Sequence, residues 1–216
     1  MKAFIVEFIG TALLLAVVTG SGIMGDTLGV GNAAVALLGN SIATGAGLYV
    51  LITLLGPMSG AHFNPVVSLM FWRLGELKLK KMLGYWFSQF TGAIMGVWLT
   101  HVMFGYSIMQ ESTKSRAGIG IWVSELISTA VLLGVVYIGL KTAKEKIPML
   151  VALTVTAGYW FTSSTFFSNP AVTVARSFTN TFVGISPENI VEFISAEIIG
   201  AILVLSIVNL AKNKTD

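Results

Sequence analysis

The chain has 216 residues, of which 55% are hydrophobic and 11% are charged, and its formal net charge is +3. Soluble domains carry roughly 25% charged residues, so this composition excludes an ordinary water-soluble protein. The sequence contains no cysteine, which excludes disulfides, thiolate metal sites and a thiol nucleophile. We therefore expect an integral membrane protein.

Six apolar segments are long enough to cross a bilayer, because a transmembrane helix needs about 20 residues. Transmembrane β-strands have only about 10 residues with alternating polarity, so these segments predict helices. Glu7 interrupts the first segment, which continues apolar to Val18 and therefore favours a retained helix over a cleaved signal peptide. The six segments are Phe4–Met24, Ala33–Leu55, Met82–Phe104, Ile119–Leu140, Ile147–Phe167 and Asn189–Leu210.

Most basic residues fall on one side of the membrane if six spans alternate across it. Lys114 and Arg116 lie on the opposite side. The positive-inside rule then predicts that both termini are cytoplasmic. The basic residues lie in short loops, so the sequence does not indicate a nucleic-acid partner. Those on the first side are Lys2, Arg73, Lys78, Lys80, Lys81, Lys141, Lys144, Lys146, Lys212 and Lys214.

Three motifs occur twice in the same order, which indicates an internal repeat. The first repeat covers about residues 1–115 and the second about 116–216, and each contains three spans and one Asn-Pro element. An odd number of spans inverts the second half relative to the first. The paired motifs are VEFIGTALLL (Val6–Leu15) with SELISTAVLL (Ser124–Leu133), FNPVVS (Phe63–Ser68) with SNPAVT (Ser168–Thr173), and QFTGA (Gln89–Ala93) with EIIGA (Glu197–Ala201).

Each Asn-Pro pair predicts the start of a short helix. Asparagine is a preferred N-cap residue and proline is favoured at the first helical position, which fits Asn64-Pro65 and Asn169-Pro170. The segments that follow, Val66–Arg73 and Ala171–Thr179, are about 15 Å long as helices. That length is half of the hydrocarbon core, so two such helices from opposite faces meet at the midplane.

The segments before the Asn-Pro pairs are expected to be non-helical backbone at membrane depth. They are Gly56–His62 (GPMSGAH) and Thr162–Ser168 (TSSTFFS). Irregular backbone at that depth is tolerated only where it is buried in protein or lines a water-filled cavity. The sequence therefore predicts a pore.

These motifs resemble those of the major intrinsic protein family, the aquaporins and glycerol facilitators. SGAHFNPV at Ser59–Val66 is similar to the family's first signature, S-G-A-H-x-N-P-A, and SNPA at Ser168–Ala171 is similar to the second. The resemblance covers nearly the whole chain. It implies an all-α membrane protein, a right-handed bundle of six transmembrane helices and two half-helices with an inverted 3+3 repeat, in one channel domain over residues 1–216.

The resemblance also implies a function, which is that of a passive channel and not of an enzyme. Water and small neutral solutes would cross, ions and protons would be excluded, and no cofactor or metal would be needed. The expected assembly is a homotetramer in the inner or plasma membrane of a prokaryote. Asn64 and Asn169 would donate amide hydrogens to passing solutes. The pore midplane would comprise Asn64, Pro65, Val66, Asn169, Pro170 and Ala171.

Three further residues are expected to support the half-helices. Glu7 and Glu125 are carboxylates inside spans, which are costly unless partnered. Their repeat-related positions predict that each accepts hydrogen bonds from the unwound backbone beside a half-helix. His62 is expected to make structural hydrogen bonds beneath Asn64, since His62 and His101 do not form a recognisable metal motif.

The family's constriction corresponds to four positions, counted from the two asparagines. Most members carry arginine where Val172 stands here, and some bacterial members that end in N-P-A-V are linked to metalloid handling. A wider, more apolar constriction is expected, which admits glycerol-like polyols, urea or neutral hydroxides such as arsenous acid, although the large Phe166 ring fills part of the space. The four positions are Thr44, Ala157, Phe166 and Val172, with Gly158 in place of Ala157 if one gap intervenes.

Arg176 lies one helical turn beyond Val172 on the same face. Two interpretations stay open: either it lines the outer vestibule and replaces the missing charge, or it is an interfacial anchor packed against another loop. An alternative function also stays open. A secondary transporter shares inverted repeats and broken helices, and it would use Glu7 and Glu125 to couple solute movement to ions or protons.

Overall fold

The computed structural model describes residues 1–212, and this part of the chain is helical, without β-strands. Lys214, one of the basic residues used above to orient the chain, lies outside the described residues. Short 3₁₀ turns precede two of the helices, at Lys144–Lys146 and Pro187–Asn189. The helices are α1 (Lys2–Gly29), α2 (Ala33–Ser59), α3 (Pro65–Arg73), α4 (Leu79–Phe104), α5 (Ile119–Thr142), α6 (Ile147–Phe161), α7 (Pro170–Arg176) and α8 (Ile190–Lys212).

Within residues 1–212, four helical segments are long and apolar enough to cross a membrane: α1, α2, α5 and Pro187–Ala211, which covers α8 up to Ala211. The other two predicted spans also form helices, and they complete the bundle by packing. The 26-residue α4 packs along α1, and α6 packs against α2 and α5. The helix α6 has only 15 residues and ends at Phe161, not at Phe167 as predicted. The chain leaves the helix there because Thr162 is extended.

The two halves pack in the same way, as the repeat predicts. α4 lies against α1 in the first half, and α8 lies against α5 in the second. A Cβ atom on Gly92 of α4 would lie 2.4 Å from the carbonyl oxygen of Phe8, and one on Gly200 of α8 would lie 2.4 Å from that of Leu126. Only glycine permits such close approach of two helix backbones.

Both half-helices are present, with boundaries that differ from the prediction. α3 ends at Arg73 as expected, but α7 ends at Arg176 instead of Thr179. The carbonyl of Arg176 accepts a hydrogen bond from the N–H of Ile185 (3.2 Å). A residue of the following loop, and not a further helical turn, therefore satisfies this carbonyl. α2 continues through Pro57 to Ser59, and the non-helical segment therefore begins at Gly60 and not at Gly56.

Candidate functional site

Two non-helical segments, residues 60–64 and 162–169, lead into the half-helices. Both contain non-glycine residues with left-handed backbone, and these occur at repeat-related positions: Ala61 (φ 48°) with Phe166 (φ 57°), and Phe63 (φ 47°) with Ser168 (φ 50°). This conformation costs free energy of about 1–3 kcal/mol per residue. Surrounding contacts must therefore hold both segments in place.

Glu7 of α1 holds the first segment. Its carboxylate accepts four hydrogen bonds, two from the backbone N–H groups of His62 (3.0 Å) and Phe63 (2.7 Å). The other two come from Ser59 Oγ (2.6 Å) and Gln89 Nε2 (2.8 Å). Glu7 is fully buried, so these donors replace the water it would otherwise bind.

Glu125 of α5 holds the second segment in the equivalent way. It accepts hydrogen bonds from the backbone N–H groups of Phe167 (2.9 Å) and Ser168 (2.8 Å). The geometry matches the supporting contacts expected of Glu7 and Glu125.

A third buried carboxylate, Glu197 of α8, was missed by sequence reasoning. It accepts hydrogen bonds from the backbone N–H of Asn169 (3.0 Å) and from Thr173 Oγ1 (2.7 Å). The signal was present in the sequence, because Glu197 is the repeat partner of Gln89 in the paired QFTGA and EIIGA motifs.

The two asparagines cap their own helices and bind the opposite half. Asn64 Oδ1 accepts from the N–H of Val66 (2.9 Å), and Asn169 Oδ1 accepts from that of Ala171 (3.0 Å). Across the pseudo-symmetry axis, Asn64 Nδ2 donates to the carbonyl of Ser168 (2.7 Å). Asn169 Nδ2 donates to the carbonyl of Phe63 (2.9 Å). The half-helix N-termini therefore lie close together and are joined reciprocally.

A cavity of about 120 Å³ runs past both asparagines. Its wall carries six polar side chains, those of Thr44, His62, Asn64, Tyr159, Asn169 and Arg176. The rest of the wall is mostly apolar and comes from stripes of residues four apart on four helices. These are Leu14 and Val18 on α1; Leu48 and Ile52 on α2; Leu132, Val136 and Leu140 on α5; and Ile147, Val151 and Val155 on α6.

Three of the four predicted constriction residues, Thr44, Phe166 and Val172, line this cavity. The prediction for Ala157 is wrong, because its side chain is exposed on the opposite face of α6. Gly158 does not line the cavity either.

Tyr159, and not Ala157, is the residue from this part of α6 that lines the cavity. Its hydroxyl lies 3.2 Å from Thr44 Oγ1, and it continues the stripe of Val151 and Val155 at a spacing of four residues. Gly158 sits behind the wall, where a Cβ atom would lie 2.2 Å from Phe166 Cδ2.

Four other residues predicted at the midplane are buried behind the wall and do not line it: Pro65, Val66, Pro170 and Ala171. Val67 faces the cavity three residues after Asn64, as Val172 does after Asn169. The reason is helical phase: the first two residues after each asparagine point away from the cavity, and the third returns to it.

His62 lines one end of the cavity, which we call the His62 end. Its Nδ1 lies 3.0 Å from Ser68 Oγ, and its ring lies 4.5 Å from that of Phe71. These contacts fit the structural hydrogen bonding expected of it. Phe71 also lines the cavity.

Arg176 lines the opposite end, which we call the Arg176 end. Its guanidinium carbon lies 3.5 Å from the centroid of the Phe167 ring, and its Nε donates to the carbonyl of Val183. Arg176 is only 2% exposed. Arg176 thus faces the cavity and also packs against the loop that follows α7.

A second arginine, Arg116, contacts both the segment before α7 and the loop after it. Its guanidinium carbon lies 5.1 Å from the Phe167 ring centroid, and its Nε donates to the carbonyl of Gly184 (2.8 Å). Its backbone N–H donates to Asn189 Oδ1 (2.8 Å). Sequence reasoning missed this residue, since no local pattern links it to residues about 70 positions away.

Comparisons with known proteins agree with this geometry. The chain is 48% identical over 203 residues to the aquaglyceroporin AqpS of Rhizobium meliloti (strain 1021), covering 94% of this chain and 87% of the relative. It is 30% identical over 146 residues to aquaporin TIP1-2 of Zea mays, covering 67% of this chain and 57% of that protein. The solved structure of the aquaglyceroporin from Plasmodium falciparum superposes with a TM-score of 0.70 at 22% identity, covering 95% of this chain and 93% of that one.

The family profile described as Major intrinsic protein matches residues 1–208. All described helices thus lie within or overlap the matched region, and the fold is that of the solved aquaglyceroporin. The chain belongs to the major intrinsic protein family, and it is a channel and not an enzyme.

Proposed function

We propose that this channel passes glycerol-like polyols and other small neutral solutes together with water, and that it excludes ions and protons. A role in water or glycerol passage is already supported by the family and by the aquaglyceroporin relatives. The finer proposal concerns which solutes pass and how charged species are rejected.

The observation that carries the proposal is the composition of the cavity wall. Six polar side chains share the wall with stripes of leucine, isoleucine and valine. A polyol has one face of C–H groups and one of hydroxyls, so such a wall can accommodate both. The apolar residues offer no hydrogen bonds, so the wall has few sites that can bind a water molecule or a solute hydroxyl.

The midplane supports selection for hydrogen-bonding solutes. Each asparagine uses Oδ1 for its own helix and one Nδ2–H for the opposite half. The second N–H of each amide is left to donate to a hydroxyl or water oxygen in the cavity, because Asn64 and Asn169 both line it.

Exclusion of cations and protons is supported by two features. The N-termini of α3 and α7 meet at the asparagines, and helix N-termini carry partial positive charge. Arg176 adds a full positive charge at its end of the cavity. Aquaporin-type pores reject protons and cations through an arginine or through such dipoles.

The supporting carboxylates argue against coupled transport. Glu7 accepts four hydrogen bonds, two of them from backbone N–H groups, and Glu125 accepts two from backbone. Neither residue lines the cavity. A proton-coupling role would break contacts that hold the segments leading into the half-helices.

Val172 supports the inclusion of larger neutral hydroxides and urea. It lines the cavity where most members of the family carry arginine, so the wall is apolar at that point. Arsenous acid presents three hydroxyls, as glycerol does, and it is neutral at physiological pH. Phe166 limits the width on the same side.

The proposed assembly is a homotetramer in the plasma membrane, with both termini cytoplasmic and the Arg176 end facing outward. Many large apolar side chains are exposed on the helices, among them Ile9, Val50, Phe87, Leu99, Ile138 and Leu210. Such surfaces suit lipid tails and neighbouring subunits.

The test is stopped-flow light scattering on proteoliposomes, with no ion gradient. Water flux is measured under an osmotic gradient, and solute flux is measured under gradients of glycerol, urea and arsenous acid. We expect glycerol flux well above that of empty liposomes and no proton or potassium leak. Flux that requires an ion gradient, or water flux without glycerol flux, would contradict the proposal.

The role of Val172 is tested with the variant Val172→Arg, which restores the residue that most family members carry. Arginine fills space and adds donors at the wall, so glycerol and arsenous acid flux should fall more than water flux. Equal loss of all fluxes would indicate a general block and would count against a role of Val172 in selection.

A further inference from the structure

Glu125 and Glu197 form a pair of buried carboxyl groups behind the cavity wall. Both are 0% exposed, and they bind the N–H groups of two adjacent residues, Ser168 and Asn169, so the two carboxyl groups lie side by side. Together they accept the backbone N–H groups of three consecutive residues, Phe167, Ser168 and Asn169. Two of these residues, Phe167 and Asn169, line the cavity.

In the first half of the chain, an amide takes the place of the second carboxyl group. Gln89 stands where Glu197 stands in the second half, and its Nε2 donates to Glu7 Oε2 (2.8 Å) and to Ser68 Oγ (3.0 Å). The amide and the carboxylate therefore attract each other. No proton is needed in that half, because an amide nitrogen carries its own hydrogens.

The second half lacks such a donor. Glu197 Oε1 accepts from the N–H of Asn169 and from Thr173 Oγ1, whereas Oε2 is buried and receives no hydrogen bond from the described residues. Glu125 already accepts from two backbone groups. Two ionised carboxylates in contact would repel each other in a site that water does not reach.

We propose that Glu125 and Glu197 share one proton, with Glu197 as the acid that donates to Glu125, and that this bond positions Asn169 and Phe167 in the pore wall. The protonated carboxyl group reproduces the Gln89–Glu7 hydrogen bond. Glu197 is thus a positioning residue, which acts on the pore through the backbone of the segment it holds.

Two arginines favour a negative charge on the pair. Arg176 from α7 and Arg116 from the loop before α5 both act on Glu125. α3, which also packs against α8, carries no titratable side chain other than Arg73 in its last turn. The other titratable side chains that the structure describes on the elements packed against the pair are Tyr137 and Lys141 on α5, Lys144, Glu145 and Lys146 in the turn after it, Tyr159 on α6, Glu188 in the turn before α8, and Glu192 on α8 itself.

The first test is infrared spectroscopy of the purified protein in lipid at neutral pH. The wild type should show the C=O stretching band of a buried protonated carboxylic acid, and Glu197→Gln should remove it. The control Glu188→Gln, which changes an exposed carboxylate, should leave the band in place. Absence of the band from the wild type, or its persistence in Glu197→Gln, would overturn the proposal.

The second test compares glycerol flux as the pH is raised. Deprotonation leaves two adjacent anions, so wild-type flux should fall reversibly at alkaline pH, whereas Glu197→Gln should keep neutral-pH flux and lose this sensitivity. Glu197→Leu leaves the Asn169 N–H unpaired, and its flux should be about tenfold lower at every pH. Identical pH profiles for wild type and Glu197→Gln would overturn the proposal, as would flux in Glu197→Gln as low as in Glu197→Leu.

The flux comparison rests on the proposed channel function, and the infrared test does not. A wild type with the carboxylic acid band but without glycerol flux would refute the proposed function alone. A wild type with flux but without the band would refute the shared proton alone.

Discussion

Arg176 and Phe71 occupy equivalent positions in the two halves of the chain, each seven residues after its asparagine, and both line the cavity. Their partners are also equivalent, since Phe71 lies 4.5 Å from the His62 ring and Arg176 lies 3.5 Å from that of Phe167. The repeat therefore gives the two ends of the pore matching geometry and different charge.

Removing this charge should weaken the rejection of cations. We expect Arg176→Leu to raise potassium and proton leak about tenfold or more, because a fixed positive charge at the pore wall is lost. The leak is measured with voltage- and pH-sensitive dyes in proteoliposomes. Arg73→Leu, which removes an exposed arginine at the end of α3, serves as the control and should leave the leak unchanged. Equal leak in both variants would show that Arg176 has only a packing role.

The Tyr159 hydroxyl should matter for polyols more than for water. It lies 3.2 Å from Thr44 Oγ1 at the cavity wall, where the two groups can exchange hydrogen bonds with a solute hydroxyl. We expect Tyr159→Phe to lower glycerol flux about three- to tenfold, which corresponds to the loss of one hydrogen bond. Water flux should change little. Stopped-flow assays measure both, and Tyr137→Phe on α5 is the control. Unchanged glycerol flux would exclude this role.

The close approach of α1 and α4 predicts a steep cost for a single methyl group. A Cβ atom on Gly96 would lie 2.1 Å from the carbonyl oxygen of Ala12, whereas one on Gly134 would meet nothing within 4 Å. Gly96→Ala must push two helix backbones apart and should destabilise the protein by about 2 kcal/mol. Gly134→Ala should be neutral or stabilising by about 0.5–1 kcal/mol. Thermal unfolding in detergent compares them, and similar melting temperatures would contradict the packing described.

Lys114, in the loop between α4 and α5, should titrate near physiological pH. Its Nζ donates to the carbonyl of Phe182 (2.6 Å), and burial together with the nearby Arg116 and Arg176 charges lowers the pKa of its ammonium from 10.5 to about 8. The folded pKa is below the unfolded one, so the unfolded chain binds more protons between these values. The contribution of Lys114 therefore makes stability rise with pH between about 8 and 10.5.

The pH dependence of labelling by an amine-selective reagent, read by mass spectrometry, reports this pKa. We expect half-maximal labelling of Lys114 near pH 8 in the wild type. Arg116→Gln removes one of the repelling charges and should move the midpoint to higher pH. A midpoint that does not move would show that Arg116 has no influence on Lys114.

Features encoded by neighbouring residues could be predicted from the sequence. Asn64 and Asn169 begin the half-helices because an asparagine Oδ1 can reach the N–H groups of its own first turn, a purely local interaction. Glu7 and Glu125 could be assigned because the repeat shows the same carboxylate at the same distance from each half-helix.

Features that depend on helix phase and on distant contacts could not be predicted. Counting back from Asn169 predicts Ala157 at the wall, but the rotation of α6 is set by packing against α2 and α5, which brings Tyr159 there instead. Arg116 meets Gly184 only in the folded chain. The role of Glu197 became evident only from its contacts with Asn169 and Glu125, although its pairing with Gln89 was visible.

The reciprocal hydrogen bonds of the asparagines have a consequence for how such a protein can arise. Asn64 binds the segment that contains Ser168, and Asn169 binds the one that contains Phe63, so neither half completes the hydrogen bonds of the midplane alone. A half-length ancestor could have formed this pore only as an antiparallel dimer of two copies inserted in opposite directions. Fusion of the two genes would then have fixed the orientations and freed each half to diverge, as the Phe71 and Arg176 positions have done.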